Sequence, residues 1–305
     1  MKTLIKIAIA SGKGGVGKSM LTSSLLMLFA KDKRKVIAVD CDADAPNLAI
    51  WLGEPKNWDK VKKISVSEKP AINNNALKNM AGKAEECVKK CRFGALRAEK
   101  EKLKLNPFLC EGCGACEFFC PAGTIKMKPV KNGEIKTKKT KYGFPLISGQ
   151  LYPGETGSGK IVTEVKREAE KFNGDIMLID SAPGTGCPVI ASLQNADFVL
   201  LIAEPTPSGF SDAKRVLEVI EHFKIPWSIV INKYDINFEL SDKIKKWASQ
   251  KGQGQINNKF LGEISYDKNI PKSISNLVPI METDLEAKNE IKKIYSRLRQ
   301  QYEQR

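Results

Sequence analysis

Ser11-Gly12-Lys13-Gly14-Gly15-Val16-Gly17-Lys18-Ser19 lies between an apolar run, Lys2 to Ala10, and a stretch of helical periodicity, Lys18 to Ala30. Strand, glycine loop and helix in that order make a phosphate cradle. The glycines let backbone N–H groups turn toward phosphate oxygens at the positive end of the helix. Lys18 supplies a point charge near the terminal phosphates, and Ser19 offers a hydroxyl to Mg2+. Gly12, Lys13, Gly14, Gly15, Val16, Gly17, Lys18 and Ser19 are therefore the candidate nucleotide-binding residues. Lys13 is an extra, since a single-chain cradle has no duty for a lysine at that point of the loop.

Outward from the loop, strands are expected at Lys35 to Asp40, Asp175 to Asp180, Ala196 to Ala203 and Pro226 to Asn232, with helices from about Val162 to Phe172 and Ser211 to Phe223. This alternation predicts an α/β fold, a mostly parallel P-loop NTPase sheet with helices on both faces. Roughly Val66 to Ile147 breaks the pattern and is rich in Cys, Lys, Asn and Pro. It reads as an insertion at residues 67–146, so the nucleotide-binding domain is discontinuous, 1–66 and 147–305. A small α+β iron-sulfur module is expected at about 70–128.

The loop Lys13 to Ser19, together with Asp40-Cys41-Asp42 and Asp180-Ser181-Ala182-Pro183-Gly184, resembles the MinD/Mrp/nitrogenase-iron-protein class of ATPases. More closely, it is similar to the MinD-superfamily ATPases with an inserted ferredoxin domain. The resemblance implies that Lys13 reaches across a homodimer to the partner's nucleotide, so that hydrolysis needs two subunits. It also implies that Asp42 orients the attacking water and that Asp180 stands near Mg2+ and leads into a second switch. Lys13, Lys18 and Asp42 are then the catalytic candidates, and Ser19, Asp42 and Asp180 the magnesium set. The chemistry agrees independently, because carboxylates at strand ends beside a phosphate loop can hold Mg2+ and a water. Asp44 reads as a loop-forming carboxylate.

Asn232-Lys233-Tyr234-Asp235 matches the pattern with which many GTPases read guanine, where Asp235 would accept two hydrogens from the base. ATP is favoured because Lys13 belongs to the ATPase class, and Asn232 and Asp235 are assigned to base recognition. Gly154-Glu155-Thr156-Gly157-Ser158-Gly159-Lys160 also fits a phosphate-loop pattern, but Ile161 follows where Ser or Thr is needed. No apolar strand is expected before it, so it reads as a glycine-rich turn.

Cys110-x2-Cys113-x2-Cys116-x3-Cys120-Pro121 has the bacterial ferredoxin spacing. A zinc ribbon would instead use two separated pairs. The companion run, Ala81 to Cys91, keeps the register but has alanine at its first two ligand positions, Ala81 and Ala84. By crosswise ligation, Cys91, Cys110, Cys113 and Cys116 complete one [4Fe-4S] cluster, and Cys87 and Cys120 remain of a second site. Two thiolates rarely hold a cube, although the pair could hold a labile or subunit-bridging cluster. Cys41 and Cys187 read as small buried residues, and the single histidine, His222, as neither ligand nor base.

Among the 305 residues, 42% are hydrophobic and no run is long and uncharged enough to span a membrane, so a cytoplasmic protein is expected. Six of eight cysteines fall between positions 87 and 120 in a chain without a signal peptide, which points to a metal site rather than a disulfide framework. Residues 56–141 hold 21 Lys/Arg against 9 Asp/Glu, most of the net charge of +15. Such a field attracts an acidic protein, nucleic acid or anionic membrane without saying which, or is simply a solvated lysine-rich surface; an acidic redox or cluster-acceptor protein is the partner carried forward, and nucleic acid and membrane are not expected. Leu285, Ile291, Ile294, Tyr295, Leu298 and Tyr302 form a helical stripe expected to pack on its own domain. Two functions fit: an ATP-dependent dimer coupling hydrolysis to electron transfer or cluster delivery, or a positioning or scaffold ATPase with a structural cluster.

Overall fold

The computed structural model describes residues 4–55, 57–78, 82–100, 102–251 and 259–303. Strand β1 (Ile5–Ser11) leads through the glycine loop into α1 (Lys18–Lys31), then β2 (Val36–Asp40), the short α2 (Leu48–Trp51) and β3 (Lys60–Ile64). Four strands and two helices follow before the chain returns: β4 (Ser67–Ile72), α3 (Lys83–Lys90), β5 (Leu96–Glu99), β6 (Lys102–Leu105), α4 (Ala115–Phe119) and β7 (Ile125–Val130). The rest is β8 (Gly133–Lys139), β9 (Pro145–Leu151), α5 (Ser158–Ala169), β10 (Ile176–Asp180), α6 (Cys187–Leu193), β11 (Phe198–Ala203), α7 (Pro207–His222), β12 (Trp227–Asn232), α8 (Phe238–Lys251), β13 (Phe260–Ile264), α9 (Asn269–Ser275) and α10 (Glu286–Glu303).

The sheet has nine strands in the order β13-β12-β11-β1-β10-β2-β9-β8-β3. From β13 to β9 all neighbours are parallel, whereas β8 is antiparallel to both β9 and β3. The central strands are almost continuously apolar because helices cover both faces. Ala8, Ile37, Val39 and Ile179 point to one face with Val162 and Val165 of α5, and Ile7, Ile9, Ala38 and Leu178 to the other with Leu21, Leu25 and Phe29 of α1. Each fully buried side chain of this size contributes about 1.5–3 kcal/mol relative to exposure.

The expected boundary at 146 needs correction, because β8 and the start of β9 belong to the sheet. Their pattern gives little apolar signal, because β8, Gly-Glu-Ile-Lys-Thr-Lys-Lys, carries one apolar residue, Ile135, and its remaining positions are polar or glycine, Lys138 being buried in an ion pair with Glu54. The second glycine loop is corrected with it. A sheet strand, β9, does feed it, and α5 does follow, starting after Gly157. Strand–loop–helix geometry is thus present there, and only the Mg2+ hydroxyl is lacking, since Ile161 stands in its place.

Between β3 and β8 the chain builds a small α+β module in which β4 pairs with β7 and β5 with β6, all antiparallel. At the other end, Ala287, Ile291, Ile294, Tyr295 and Leu298 of α10 are buried in the same cluster as α1. The terminal stripe is therefore core. Tyr302's side chain lies outside the described residues. Among those residues, no helix is long and apolar enough to cross a membrane.

Candidate functional site

The phosphate loop is held by the strand that carries the Asn-Lys pair. Gly17 has φ +98°, and a Cβ there would stand 2.4 Å from Asn232 Nδ2. That approach lets Asn232 donate to Val16 O at 2.7 Å, while Lys233 donates to Gly15 O at 3.3 Å. Asn232 is 4% exposed at the end of β12, so the residue expected to read a base also clamps the loop. Asp235 lies apart from the cavity lining, because one of its oxygens accepts the backbone N–H of Tyr266 at 2.7 Å. That contact engages one of the two carboxylate oxygens that a guanine-reading aspartate would use.

In front of the loop is a cavity of about 700 Å3. Lys13, Gly14, Gly15, Val16, Gly17, Lys18, Ser19, Asp42 and Asp44 form one side, and Ser265, Tyr266, Asp267, Ile270 and Pro271 the opposite wall. Gly12 is not on the lining, since it packs backbone to backbone against Asp212 of α7. The far wall was not expected. It sits in the β13–α9 loop, which has no motif, and only the fold brings it opposite the glycine loop. Asn47 is another lining residue that was missed, and its buried Oδ1 has no hydrogen-bond partner among the described residues.

Behind the loop the charges are tightly packed. Lys18 Nζ donates to Asp180 Oδ1 at 2.9 Å, with side chains 7% and 0% exposed, and Thr22 Oγ1 donates to the same oxygen at 3.3 Å. Burial, the largest influence on Lys18, pulls its ammonium toward deprotonation, but Asp180, Asp40 and Asp42 outweigh it and hold the pKa above its ordinary value. Asp40 uses both oxygens on backbone, accepting from Asp42 N at 3.2 Å and Leu48 N at 3.0 Å. Burial first, then the charge of Asp180, pushes Asp40 up to about 8. It shapes the loop carrying Asp42, whose own carboxyl burial also raises, against the opposing pull of Lys18.

These oxygens suit a magnesium ion. Asp180 Oδ2 is a buried carboxylate oxygen with no hydrogen-bond partner among the described residues. Ser19 and Asp42 stand on the cavity wall in front of it. Hard oxygen donors of this kind match Mg2+ better than a soft metal. Asp180 itself lies behind Lys18 and off the lining.

Lys13 is engaged within its own chain. Its ammonium meets Glu204 Oε1 at 2.5 Å, close to the hydroxyls of Thr206 and Ser208, both at 3.4 Å. Glu204, at the end of β11, was not foreseen as a site residue.

In the module, α3 ends at Cys91 and α4 contains Cys116, and both face the loop bearing Cys110 and Cys113. All four thiols line one cavity of about 60 Å3, together with Phe93, Leu96, Leu105 and Met127. The Cys116 thiol is raised by burial and by the nearness of Cys110, Cys113 and Cys91. Among the described residues, no three His, Cys, Asp or Glu side chains stand in metal-holding geometry. Soft sulfur donors converging on an apolar hollow nonetheless suit iron-sulfur chemistry. Cys87 and Cys120, the remnant of a second site, bring their sulfurs side by side within the module's core. Ala84 is buried against them, and Ala81 lies outside the described residues. Cys41 is pushed up to about 12, chiefly by burial, which leaves it an inert thiol.

Helix α5 touches the module at one end and α6 at the other. Its first turn borders a cleft shared with Ser67, Glu68, Glu111 and Gly112 of the module. Further along, the ammonium of Lys166, 7% exposed, donates to Ala191 O at 2.8 Å, Ser192 O at 3.1 Å and Gln194 O at the end of α6. A cation there satisfies carbonyls that the helix leaves open and complements its dipole.

A family model described as the CobQ/CobB/MinD/ParA nucleotide binding domain matches residues 7–280. An uncharacterized protein of Methanocaldococcus jannaschii is 36% identical over 299 residues, covering 97% of each chain. The same organism's iron-sulfur cluster carrier protein is 22% identical, over 96% of this chain and 83% of its own. Among solved structures, the septum site-determining protein MinD of Pyrococcus horikoshii, complexed with Mg-ADP, superposes with a TM-score of 0.58 at 16% identity, covering 98% of both chains.

Proposed function

The chain belongs to the CobQ/CobB/MinD/ParA nucleotide-binding domain family and is a P-loop ATPase, and we propose that a pair of its subunits couples ATP binding and hydrolysis to electron transfer through, or delivery of, one [4Fe-4S] cluster. The observation that carries this reading is that Cys91, Cys110, Cys113 and Cys116 line one small cavity, in a module bordered by α5, the helix that is pinned to α6.

In this reading the glycine loop presents its N–H groups and Lys18 to the phosphates, and Ser19, Asp42 and Asp180 supply oxygens to Mg2+. Asp42, on the cavity wall, orients the attacking water, and Lys13 of a second copy neutralises charge as the terminal phosphate leaves. Phosphoryl transfer asks little more of a protein than such positioning and charge. ATP rather than GTP is supported by the family to which the chain belongs and by the similar MinD structure complexed with Mg-ADP. When bound, the cluster supplies a one-electron couple or a transferable cargo, held by the four cysteines. Beside them Phe93, Phe118 and Phe119 are exposed, with Lys90 5.3 Å from the Phe119 ring, which gives an acidic acceptor protein an apolar and basic landing. The relative named as an iron-sulfur cluster carrier supports the cargo role.

Anaerobic purification followed by iron and acid-labile sulfide analysis tests the reading. About four irons and four sulfides per chain are expected, with an EPR signal on reduction that changes when Mg-ATP is added. Absence of iron from anaerobically purified protein, or a signal indifferent to nucleotide, rejects the coupling and favours a positioning ATPase.

A further inference from the structure

Glu204 is 7% exposed, and its two oxygens hold two lysines: Lys13 at 2.5 Å on Oε1 and Lys233 at 3.1 Å on Oε2. Lys13 belongs to the phosphate loop. Lys233 reaches the same loop through Gly15 O. One carboxylate at the end of β11 therefore ties down both the lysine that has no duty within its own cradle and the lysine beside the base wall. We propose that Glu204 is a positioning residue that latches Lys13 in its own chain, so that Lys13 is released to a second copy of the protein only at the cost of this ion pair. The inference rests on the two-subunit reading above.

The latch is built to open without stranding a charge. A buried carboxylate that loses its only partner is strongly destabilised. Glu204 would not be in that position, because Lys233 stays on Oε2 when Lys13 leaves. On the other oxygen, Thr206 Oγ1 already donates to Oε1 at 3.3 Å and is close enough to take over. Thr206 itself is fixed as the cap of α7, accepting from Gly209 N at 3.0 Å. The backbone around Glu204 leaves no slack either, since a Cβ on Gly209 would stand 2.8 Å from Glu204 O. The acceptor is thus rigid and twice supported, while Lys13, on a glycine loop with a side chain 31% exposed, is the partner free to move.

The pair also sets a threshold. Lys13 gains from crossing only when the negative charge presented by the other subunit exceeds what Glu204, Thr206 and Ser208 already offer. A nucleoside triphosphate meets that condition better than a diphosphate, because its terminal phosphate carries the extra charge. The latch would therefore make pairing selective for the triphosphate state and keep diphosphate-bound chains apart.

The test is sedimentation of the full chain in Mg-ATPγS and in Mg-ADP. Glu204→Gln should tighten the ATPγS dimer about tenfold, the scale of one partly buried ion pair, and narrow its preference over ADP. It should also lower the protein concentration at half-maximal ATP turnover by a similar factor, a readout that a merely structural role would not improve. Glu204→Asp, one methylene shorter, cannot hold both lysines at these distances and should give a smaller tightening, which keeps the test open if the amide variant folds poorly. Lys13→Ala,Glu204→Gln should show no tightening over Lys13→Ala. A folded Glu204→Gln or Glu204→Asp protein whose dimer is unchanged or weaker overturns the latch. Dimerisation of Lys13→Ala as tight as that of the natural chain overturns the two-subunit reading instead.

Discussion

Leu25 in the sheet domain and Leu103 in the inserted module are equally hidden, at 0% and 1% exposure, but they sit in cores of different size. Leu25 belongs to a cluster that runs from β12 through β1 to α10 and is backed by a second cluster across the sheet. Among the described residues, Leu103 shares its core with six other buried residues, Leu77, Ala84, Cys87, Leu96, Cys120 and Ile125, and a rim of partly buried ones such as Ile72 and Leu105. So small a core seldom stabilises a fold unaided, and natural proteins of this size add disulfides or metals. The sheet is held by area, which needs no cofactor. The module's small core is instead lined with sulfur, from Cys87 and Cys120 within it and from Cys91 and Cys116 packed against it. The difference separates the regions' roles too: one gives a rigid platform for phosphate chemistry, and the other is a part with little buried area of its own.

The largest effect expected within the platform is chemical rather than structural. Lys13→Ala should lower steady-state ATP hydrolysis by about 10³-fold, the scale seen when a charge supplied across an interface is removed. Folding should be intact, because Glu204 keeps Lys233 as a partner when Lys13 is removed. Asp42→Asn should bind ATP normally but cleave it slowly, so that dimers accumulate in a sedimentation assay. Full turnover by the first variant, or failure of the second to bind ATP, would show that loop charge and water positioning lie elsewhere.

Next in size is a test of the two cores. Leu25→Ala and Leu103→Ala each remove the same buried atoms and should each cost about 2–5 kcal/mol. The consequence should differ by region. Leu25→Ala lowers the main thermal transition by several degrees, whereas Leu103→Ala raises amide exchange only within residues 67–130 and lowers iron content. If Leu103→Ala shifts the main transition as far as Leu25→Ala, the two regions unfold as one and the contrast between area and sulfur is wrong.

That contrast also explains what was legible in the sequence. β1, β2, β10, β11 and β12 announce themselves as apolar runs because both of their faces are covered, and the phosphate loop because its chemistry demands fixed spacing. β8 is hidden by its place near the sheet margin, where polar residues are tolerated and one apolar residue in seven suffices, and β9 by the Ser-Gly-Gln that interrupts its apolar residues. The cysteine ligand set is readable from spacing, yet nothing in the spacing shows that Cys87 and Cys120 meet each other. Tyr266, Asp267, Ile270 and Pro271 carry no local signal, since they become a wall only when β13 lies beside β12. Glu204 is silent for the same reason, its partners being 191 and 29 residues away in the chain.

The smallest effect expected is at the joint between the regions, and it decides whether they communicate. Lys166 is buried with no salt-bridged carboxylate among the described residues and spends its three donors on the carbonyls of Ala191, Ser192 and Gln194. Burial holds its pKa below the ordinary lysine value. Between that folded value and the unfolded 10.5, the unfolded chain binds the additional proton, so this residue makes stability rise with pH on the alkaline side. Lys166→Met keeps the stem and the volume but deletes the ammonium, leaving carbonyls at the end of α6 unsatisfied at a cost of about 1–3 kcal/mol. Its melting temperature should fall by a few degrees, and the alkaline rise should disappear from its stability profile. Because α5 carries this pin at one end and borders the module at the other, the nucleotide-dependent change in the cluster's EPR signal should shrink as well, while hydrolysis by the untouched phosphate loop continues. An undiminished EPR response in a destabilised Lys166→Met protein would mean that the pin fastens α5 to α6 without transmitting anything, and that any coupling runs instead through β3 and β8, the two strands at which the module joins the sheet.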